Sequence, residues 1–179
     1  MSVAYTIIDK YYPELNDLKR TLLIHSQQVA EKALLVAKNH PELDVDVTVL
    51  EVGALLHDIG IFKTWAPGIF CFGKAHYLMH GFIGAQLMRD EGLEVYARIC
   101  ERHTGTGLSG HVIKENQLPI PVKDYFPETL EEKIICYADK FYSKSHLDGV
   151  KTVEYVCKSL SKWGDENVIR FMEWHHLFG

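Results

Sequence analysis

The residues best suited to chemistry in this sequence are a histidine and an aspartate that stand side by side, His57 and Asp58. They follow a segment, Val47 to Leu56, that would be apolar on nearly every face of a helix, and we expect Gly60 to end that helix in the left-handed conformation. A buried aspartate at the negative end of a helix dipole is unfavourable unless a cation lies beside it. The pair therefore indicates a metal site, the alternative being an aspartate that caps backbone and a histidine that donates to a carbonyl.

Four further residues of the same chemistry occupy inward or helix-terminal positions on other predicted helices: His25, His80, His103 and Asp139. Each has an ordinary structural explanation by itself, such as a hydrogen-bonded core histidine. Together with His57-Asp58 they would need six independent coincidences. Imidazole and carboxylate groups that converge from several helices are typical of iron, manganese, zinc and other divalent ions, and six ligands are enough for two ions.

Helical periodicity dominates the chain and predicts the elements that must position these residues. The predicted helices are a long first helix that ends before Pro41, followed by 46–58, 77–91, 93–103, a short helix near 109–115, 128–144, 151–162 and 165–177. Two long loops, 61–76 and 118–127, interrupt them, and the first reads as a candidate lid because it is rich in aromatic residues, proline and glycine. No convincing alternating strand pattern occurs, so we predict an all-α helical bundle with long connecting loops.

Composition narrows the class of protein. A length of 179 residues suits one domain, and 24 acidic against 19 basic residues give a formal charge of −5, which argues against general nucleic-acid binding and against a membrane-surface role. The four cysteines form no CxxC pair, there is no apolar run long enough to span a membrane, and the first residues do not resemble a secretory leader. We expect a cytoplasmic protein.

The order of His25, His57-Asp58 and Asp139 resembles the motif of the HD superfamily of metal-dependent phosphohydrolases, and His57 to Gly60 resembles the form that names its HDIG subgroup. The resemblance implies a single HD domain over residues 1–179, with a motif core of about 23–144 and C-terminal helices at 151–177. It also implies that His25, His57, Asp58 and Asp139 bind one metal ion.

Two further pairs, His80-Gly81 and His103-Thr104, are similar in order to those of the bacterial symmetrical diadenosine tetraphosphate hydrolases, as is the run Ala138-Asp139-Lys140. By that resemblance, His80 and His103 join Asp58 around a second ion. The implied cofactor is one or two divalent ions of Fe, Mn, Zn, Mg, Co or Ni. The chain lacks the paired histidines and Gly-Tyr-Pro motif of cyclic-di-GMP phosphodiesterases, which disfavours that substrate.

The implied activity is hydrolysis of a phosphoester or phosphoanhydride, in a nucleotide or another small phosphorylated metabolite, by metal-activated water. Asp58 and Lys140 are the predicted catalytic residues, with Asp58 able to bridge two ions. The predicted contacts to the anionic substrate are Lys63, Lys74, Arg102 and His76, and either His76 or His111 could protonate the leaving oxygen. Two alternatives stay open: a di-iron oxygenase of the HD type and a non-catalytic domain that senses a nucleotide.

Overall fold

The computed structural model describes residues 2–179, and over that range it is mainly helical, as predicted. The α-helices are α1 Val3–Tyr11, α2 Asp17–Asn39, α3 Val47–Leu56, α4 His80–Asp90, α5 Glu94–Arg102, α6 Gly110–Glu115, α7 Leu130–Asp139, α8 Val153–Leu160 and α9 Asp165–Phe178. Two short antiparallel strands, β1 Trp65–Ala66 and β2 Cys71–Phe72, form a hairpin within the 61–76 loop. No helix in the described range is long and apolar enough to cross a membrane.

Helices α2 and α3 form the centre of the fold, and each begins at a residue that caps it and carries a large buried face. The Asn16 side chain accepts a hydrogen bond from the backbone of Lys19 at the start of α2, and Asp46 caps α3 in the same way. One face of α2 is buried at helical spacing, whereas α3 is buried over most of its circumference from Leu50 onward. The two helices pack against each other, with α5 and α7 against α3.

The remaining helices complete the same core. Helix α9 packs on α7, where the rings of Phe171 and Tyr137 stack with centroids 5.5 Å apart. Helix α1 covers α3 through a buried face of Ala4, Ile7 and Ile8. Our sequence interpretation assigned no helix there, although these residues have the spacing of an amphipathic helix.

The predicted left-handed conformation of Gly60 is wrong. Gly60 has φ −83° and ψ −5°, and the chain continues into a short 3-10 helix, Ile61–Lys63. The position requires glycine for a different reason, since a Cβ there would lie 2.3 Å from the carbonyl oxygen of His80 and 2.5 Å from the backbone nitrogen of Gly84. Glycine thus lets α4 approach the turn that follows His57-Asp58.

The predicted helix at 128–144 is wrong at its C-terminal end. Helix α7 begins after Thr129, whose side chain caps it, and ends at Asp139. Residues 140–152 form a loop, closed by a hydrogen bond of 2.8 Å from the backbone nitrogen of Lys151 to the carbonyl of Phe141. The helix therefore stops at the residue that faces the centre of the bundle, and the following turn is free to lie across it.

Candidate metal centre

The six predicted ligands come together in the interior of the bundle. Each lies at an end or on the buried face of its segment, and each is 9% exposed or less. They form two groups of potential metal-binding side chains that share one aspartate: His25, His57, Asp58 and Asp139 in the first, and Asp58, His80 and His103 in the second.

The first group surrounds one point with two nitrogens and two oxygens. Asp58 Oδ2 lies 3.2 Å from His25 Nε2 and 3.0 Å from His57 Nε2. Asp139 Oδ1 lies 3.0 Å and 3.6 Å from the same two nitrogens. The second oxygen of Asp139 faces away from these histidines, toward Lys140 at 2.8 Å.

The second group is built on the other oxygen of the shared aspartate. Asp58 Oδ1 lies 3.4 Å from His80 Nε2 and 3.4 Å from His103 Nε2. The two histidine nitrogens are 3.0 Å apart. Asp58 therefore turns one carboxylate oxygen to each group, which is the arrangement of a bridging ligand.

Backbone carbonyls orient three of the histidines in the same way. In His57, His80 and His103, Nδ1 lies 2.6, 2.7 and 2.7 Å from the carbonyl oxygen three residues earlier in the chain. A carbonyl can only accept, so Nδ1 carries the proton, and in the neutral ring Nε2 presents a lone pair to the centre. This is the usual outer support of a metal-binding histidine.

These residues fit a divalent cation because ring nitrogens and carboxylate oxygens that could bind it face one another in the interior. The lone pairs of His80 and His103 point at each other and at a carboxylate oxygen. Among the described residues, His25 Nε2, His57 Nε2 and Asp58 Oδ1 are buried without a hydrogen-bond partner. Buried acceptors without partners are costly, and a cation bound by nitrogen and oxygen ligands would satisfy all of them.

The electrostatics of the centre favour added positive charge. Burial raises the pKa of the Asp58 carboxyl, but the charges of His57 and Lys144 outweigh burial and hold that pKa well below its usual range. Burial also opposes a charge on His57, yet Asp58 and Asp139 prevail and raise its pKa to about 9. At His80, burial prevails and lowers the pKa to about 3, so this ring stays in the neutral form that binds metals.

A cavity of about 470 Å³ reaches this centre from the surface. Its lining includes Asp139 and three basic side chains, Lys140, Lys144 and Lys151. The 61–76 loop, which we expected to fold over the site, contributes Ala66, Gly68 and Ile69, and the residues that complete the wall include Tyr77 and Trp163. The cavity thus brings Asp139 of the first ligand group together with three basic side chains.

Lys140 and Lys144 contact the ligands differently. Lys140 donates to Asp139 Oδ2 at 2.8 Å and to the carbonyl of His103 at 3.0 Å. Lys144 Nζ lies 2.6 Å from Asp58 Oδ2. Sequence reasoning gave Lys144 no role, because the residue stood only as the last position of the helix predicted over 128–144. Its one signal was its four-residue spacing from Lys140.

The four predicted substrate contacts lie elsewhere in the described structure, and none lines this cavity. Lys63, Lys74 and His76 are exposed on the 61–76 loop, where His76 Nδ1 accepts from the backbone of Leu78. Arg102 is directed away, 2.6 Å from a carboxylate oxygen of Glu128.

His111, the other predicted proton donor, is also distant from the cavity lining. Its side chain is 82% exposed and lies 3.4 Å from Glu115 on the same helix. Three proton donors that line the cavity also contact candidate ligands: Lys140, Lys144 and Tyr77. The Tyr77 ring stacks on His80, with centroids 4.7 Å apart.

Known proteins resemble this chain in sequence and in fold. The family model "HD domain" matches residues 22–144. An uncharacterized protein of Methanocaldococcus jannaschii is 37% identical over 139 residues, which cover 72% of each chain. The tRNA (cytidine(56)-2'-O)-methyltransferases of Picrophilus torridus and Thermoplasma volcanium are 34% and 33% identical over 73% and 68% of this chain. The match spans only 34% and 32% of those two longer proteins.

Two solved structures share the fold. The crystal structure of the HD domain of the L. monocytogenes phosphodiesterase PgpH aligns with 97% of this chain and 88% of its own, with a TM-score of 0.54 and 18% identity. The same domain in complex with cyclic-di-AMP aligns with 95% of this chain and 92% of its own, with a TM-score of 0.51 and 17% identity. With the family match across the ligand-bearing segment, the conclusion is that the chain belongs to the HD domain family.

Proposed function

We propose that this protein is a metal-dependent phosphohydrolase that cleaves a phosphoester or phosphoanhydride bond in a nucleotide or another small phosphorylated metabolite. One observation carries the proposal: two groups of candidate ligands share Asp58, and Asp139 of the first group lines a cavity together with Lys140, Lys144 and Lys151. The ligands suit divalent ions, and the lysines suit an anionic substrate.

In the proposed reaction the candidate ligands would bind two ions. His25, His57, Asp58 and Asp139 would hold one ion, and His80 and His103 would share Asp58 around a second. Divalent ions bound there would supply activated water and polarise phosphate oxygens. Asp58 would fix the spacing of the two ligand groups, because its oxygens face one group each. Lys140 would position Asp139 and the His103 backbone, which it contacts directly.

The cavity supports a small anion as the substrate. The chain as a whole carries a formal charge of −5, so a cavity lined by three lysines is a local exception. A volume of about 470 Å³ is in the usual range of small-molecule sites. A protein of the same fold is known in complex with cyclic-di-AMP, which supports a nucleotide among the candidates. The motif order also resembles that of the diadenosine tetraphosphate hydrolases, which supports dinucleoside polyphosphates as further candidates.

The test combines metal content with turnover. Protein purified without chelators is analysed for metal as wild type and as the double variant His80→Ala, His103→Ala. We expect about two ions per wild-type chain and about one in the double variant, because only the second group is removed. Wild-type protein should release phosphate or nucleotide from at least one member of a panel of nucleoside phosphates, dinucleoside polyphosphates and cyclic dinucleotides.

Assays under nitrogen separate this proposal from its alternatives. Product release without oxygen supports hydrolysis, whereas an absolute requirement for oxygen together with bound iron would indicate a di-iron oxygenase. Nucleotide binding by metal-replete protein without turnover of any member of the panel would indicate a sensor domain. Either of these two outcomes would contradict the proposed hydrolase.

A further inference from the structure

Lys140 and Lys144 each pair with an aspartate of the centre, but only Lys144 pairs with an oxygen that also faces the histidines. Lys140 pairs with Asp139 Oδ2, whereas the histidines face Asp139 Oδ1. Lys144 pairs with Asp58 Oδ2, the oxygen that also faces His25 Nε2 and His57 Nε2. Lys140 therefore leaves the metal-facing oxygen of its aspartate free, but Lys144 occupies one.

The Lys144 ammonium lies where a metal ion bound to Asp58 would supply positive charge. Its side chain is 12% exposed and Asp58 is fully buried, so the ammonium supplies positive charge where water cannot. The distance of 2.6 Å is a direct ion pair. A divalent ion within the first ligand group would bind the same oxygen, and it would repel an ammonium held that close.

The Lys144 ammonium can also reach the cavity. Lys144 lies in a turn closed by a hydrogen bond of 3.3 Å from the backbone of His146 to the carbonyl of Ser143, and its side chain lines the cavity. Leu147, three residues after Lys144, is held to the bundle by Gln28, whose Nε2 donates to the Leu147 carbonyl at 2.6 Å. Rotation of the four-carbon side chain alone would move the ammonium from Asp58 into the cavity.

We propose that Lys144 is a resident counter-ion of Asp58 that a divalent ion displaces, and that the displaced ammonium then binds the anionic group of the substrate. The inference rests on the proposed metal-dependent function and adds a coupling to it. Metal binding would free the ammonium for the anion, and an anion that holds the ammonium would ease metal binding. By linkage, each ligand then raises the affinity for the other by the same factor.

Calorimetric titration with Mn²⁺, with and without inorganic phosphate, tests the coupling in wild type and Lys144→Met. Loss of the competing ammonium should raise the affinity for Mn²⁺ in the absence of phosphate by about tenfold or more. The enhancement of Mn²⁺ affinity by phosphate should be several-fold smaller in the variant than in wild type. Lys151→Met is the matched control, because Lys151 lines the same cavity but donates to the carbonyl of Tyr142 and contacts no candidate ligand. Its affinity for Mn²⁺ alone should equal that of wild type.

Amine labelling of wild-type protein gives a second readout that needs no variant to fold. Mass spectrometry should show Lys144 protected without metal, labelled several-fold faster with Mn²⁺, and protected again when phosphate is added. Lys140 should not change. Equal or weaker Mn²⁺ binding by Lys144→Met, or labelling of Lys144 that is insensitive to Mn²⁺, would overturn the inference and leave the hydrolase proposal intact. Wild-type protein that binds no Mn²⁺ or any other divalent ion would overturn both.

Discussion

Two regions of this molecule bury charged side chains, and they offset the cost of removing those charges from water in opposite ways. One is the candidate metal centre. The other, which we call the arginine–glutamate network, joins α4, α5 and the start of α7. Its members are Arg89, Arg98, Glu101, Arg102, Lys123, Glu128 and Glu132.

In the network, each buried carboxylate has its own basic partners. Glu101 is 3.1 Å from Arg89 and 3.4 Å from Lys123, and Glu132 accepts from Arg98 Nε at 2.9 Å. In the candidate metal centre, four histidine rings and two carboxylates converge, and several of their nitrogens and oxygens are buried without a hydrogen-bond partner. A cluster whose charged groups all find partners within the protein contributes to the stability of the fold. A cluster that leaves buried acceptors without donors is typical of a site that binds a ligand.

The largest effect that separates the two regions is expected from Asp58→Asn. The amide has nearly the same shape but removes the negative charge shared by both ligand groups, so metal binding should be lost and kcat/KM should fall by at least about 10³-fold. Elemental analysis and product release measure this. Retention of two ions and of activity within tenfold would refute the bridging role of Asp58.

The next largest effect tests how closely α4 must approach the centre. In Gly60→Ala the new Cβ would meet the His80 carbonyl oxygen at 2.3 Å, and since the obstacle is backbone, α4 must shift. We expect a loss of about 1–3 kcal/mol in the free energy of unfolding and weaker binding of the second ion, because His80 begins α4.

Gly68→Ala is the matched control for this change. Gly68 lies eight residues further along, in the 61–76 loop, and a Cβ added there would have no heavy atom within 4 Å. Urea unfolding in chelator should show little change for this variant. Equal losses in both variants would show that the close approach at Gly60 is not the cause.

The sequence predicted most of the fold and the convergence of six side chains for reasons that are local. Helical periodicity identified α2 to α9, and the inward or terminal position of His25, His57, Asp58, His80, His103 and Asp139 is a property of each helix by itself. These six side chains do meet in the structure, while their role as metal ligands stays a prediction.

What the sequence did not predict depends on where partners lie in space. Arg102 is adjacent to His103 but is engaged by Glu128, which follows it by 26 positions and belongs to another segment. Lys144 reaches Asp58 only because α7 ends at Asp139 and the chain turns back. Charged side chains can choose among several partners, so proximity in sequence says little about which one they take.

The network itself should respond to mutation in stability and not in metal binding. Glu132 is buried, and its second oxygen accepts from the backbone of Glu128 at 2.6 Å. Glu132→Gln keeps the shape but removes the charge that faces Arg98, so we expect a loss of about 1–3 kcal/mol in the free energy of unfolding. Metal content should not change. A variant that loses metal while retaining wild-type stability would mean that the two regions are not independent.

The smallest effect is a pH dependence of that stability. Burial raises the pKa of Glu101, but Arg89 and Lys123 outweigh burial and hold the pKa below its ordinary value. A carboxyl whose pKa is lower in the folded state stabilises the protein fully above its unfolded pKa, about 4.3, and this contribution is lost as the pH falls through the folded pKa. Urea unfolding of wild type and Glu101→Gln in chelator should therefore give a difference in stability that is constant near neutral pH and shrinks below about pH 4. The glutamine side chain cannot ionise, so a stability difference that comes from charge must shrink in acid. A difference between wild type and Glu101→Gln that persists unchanged to the acid limit would show that the substitution acts through packing. Ion pairs to Glu101 would then not be what stabilises the network.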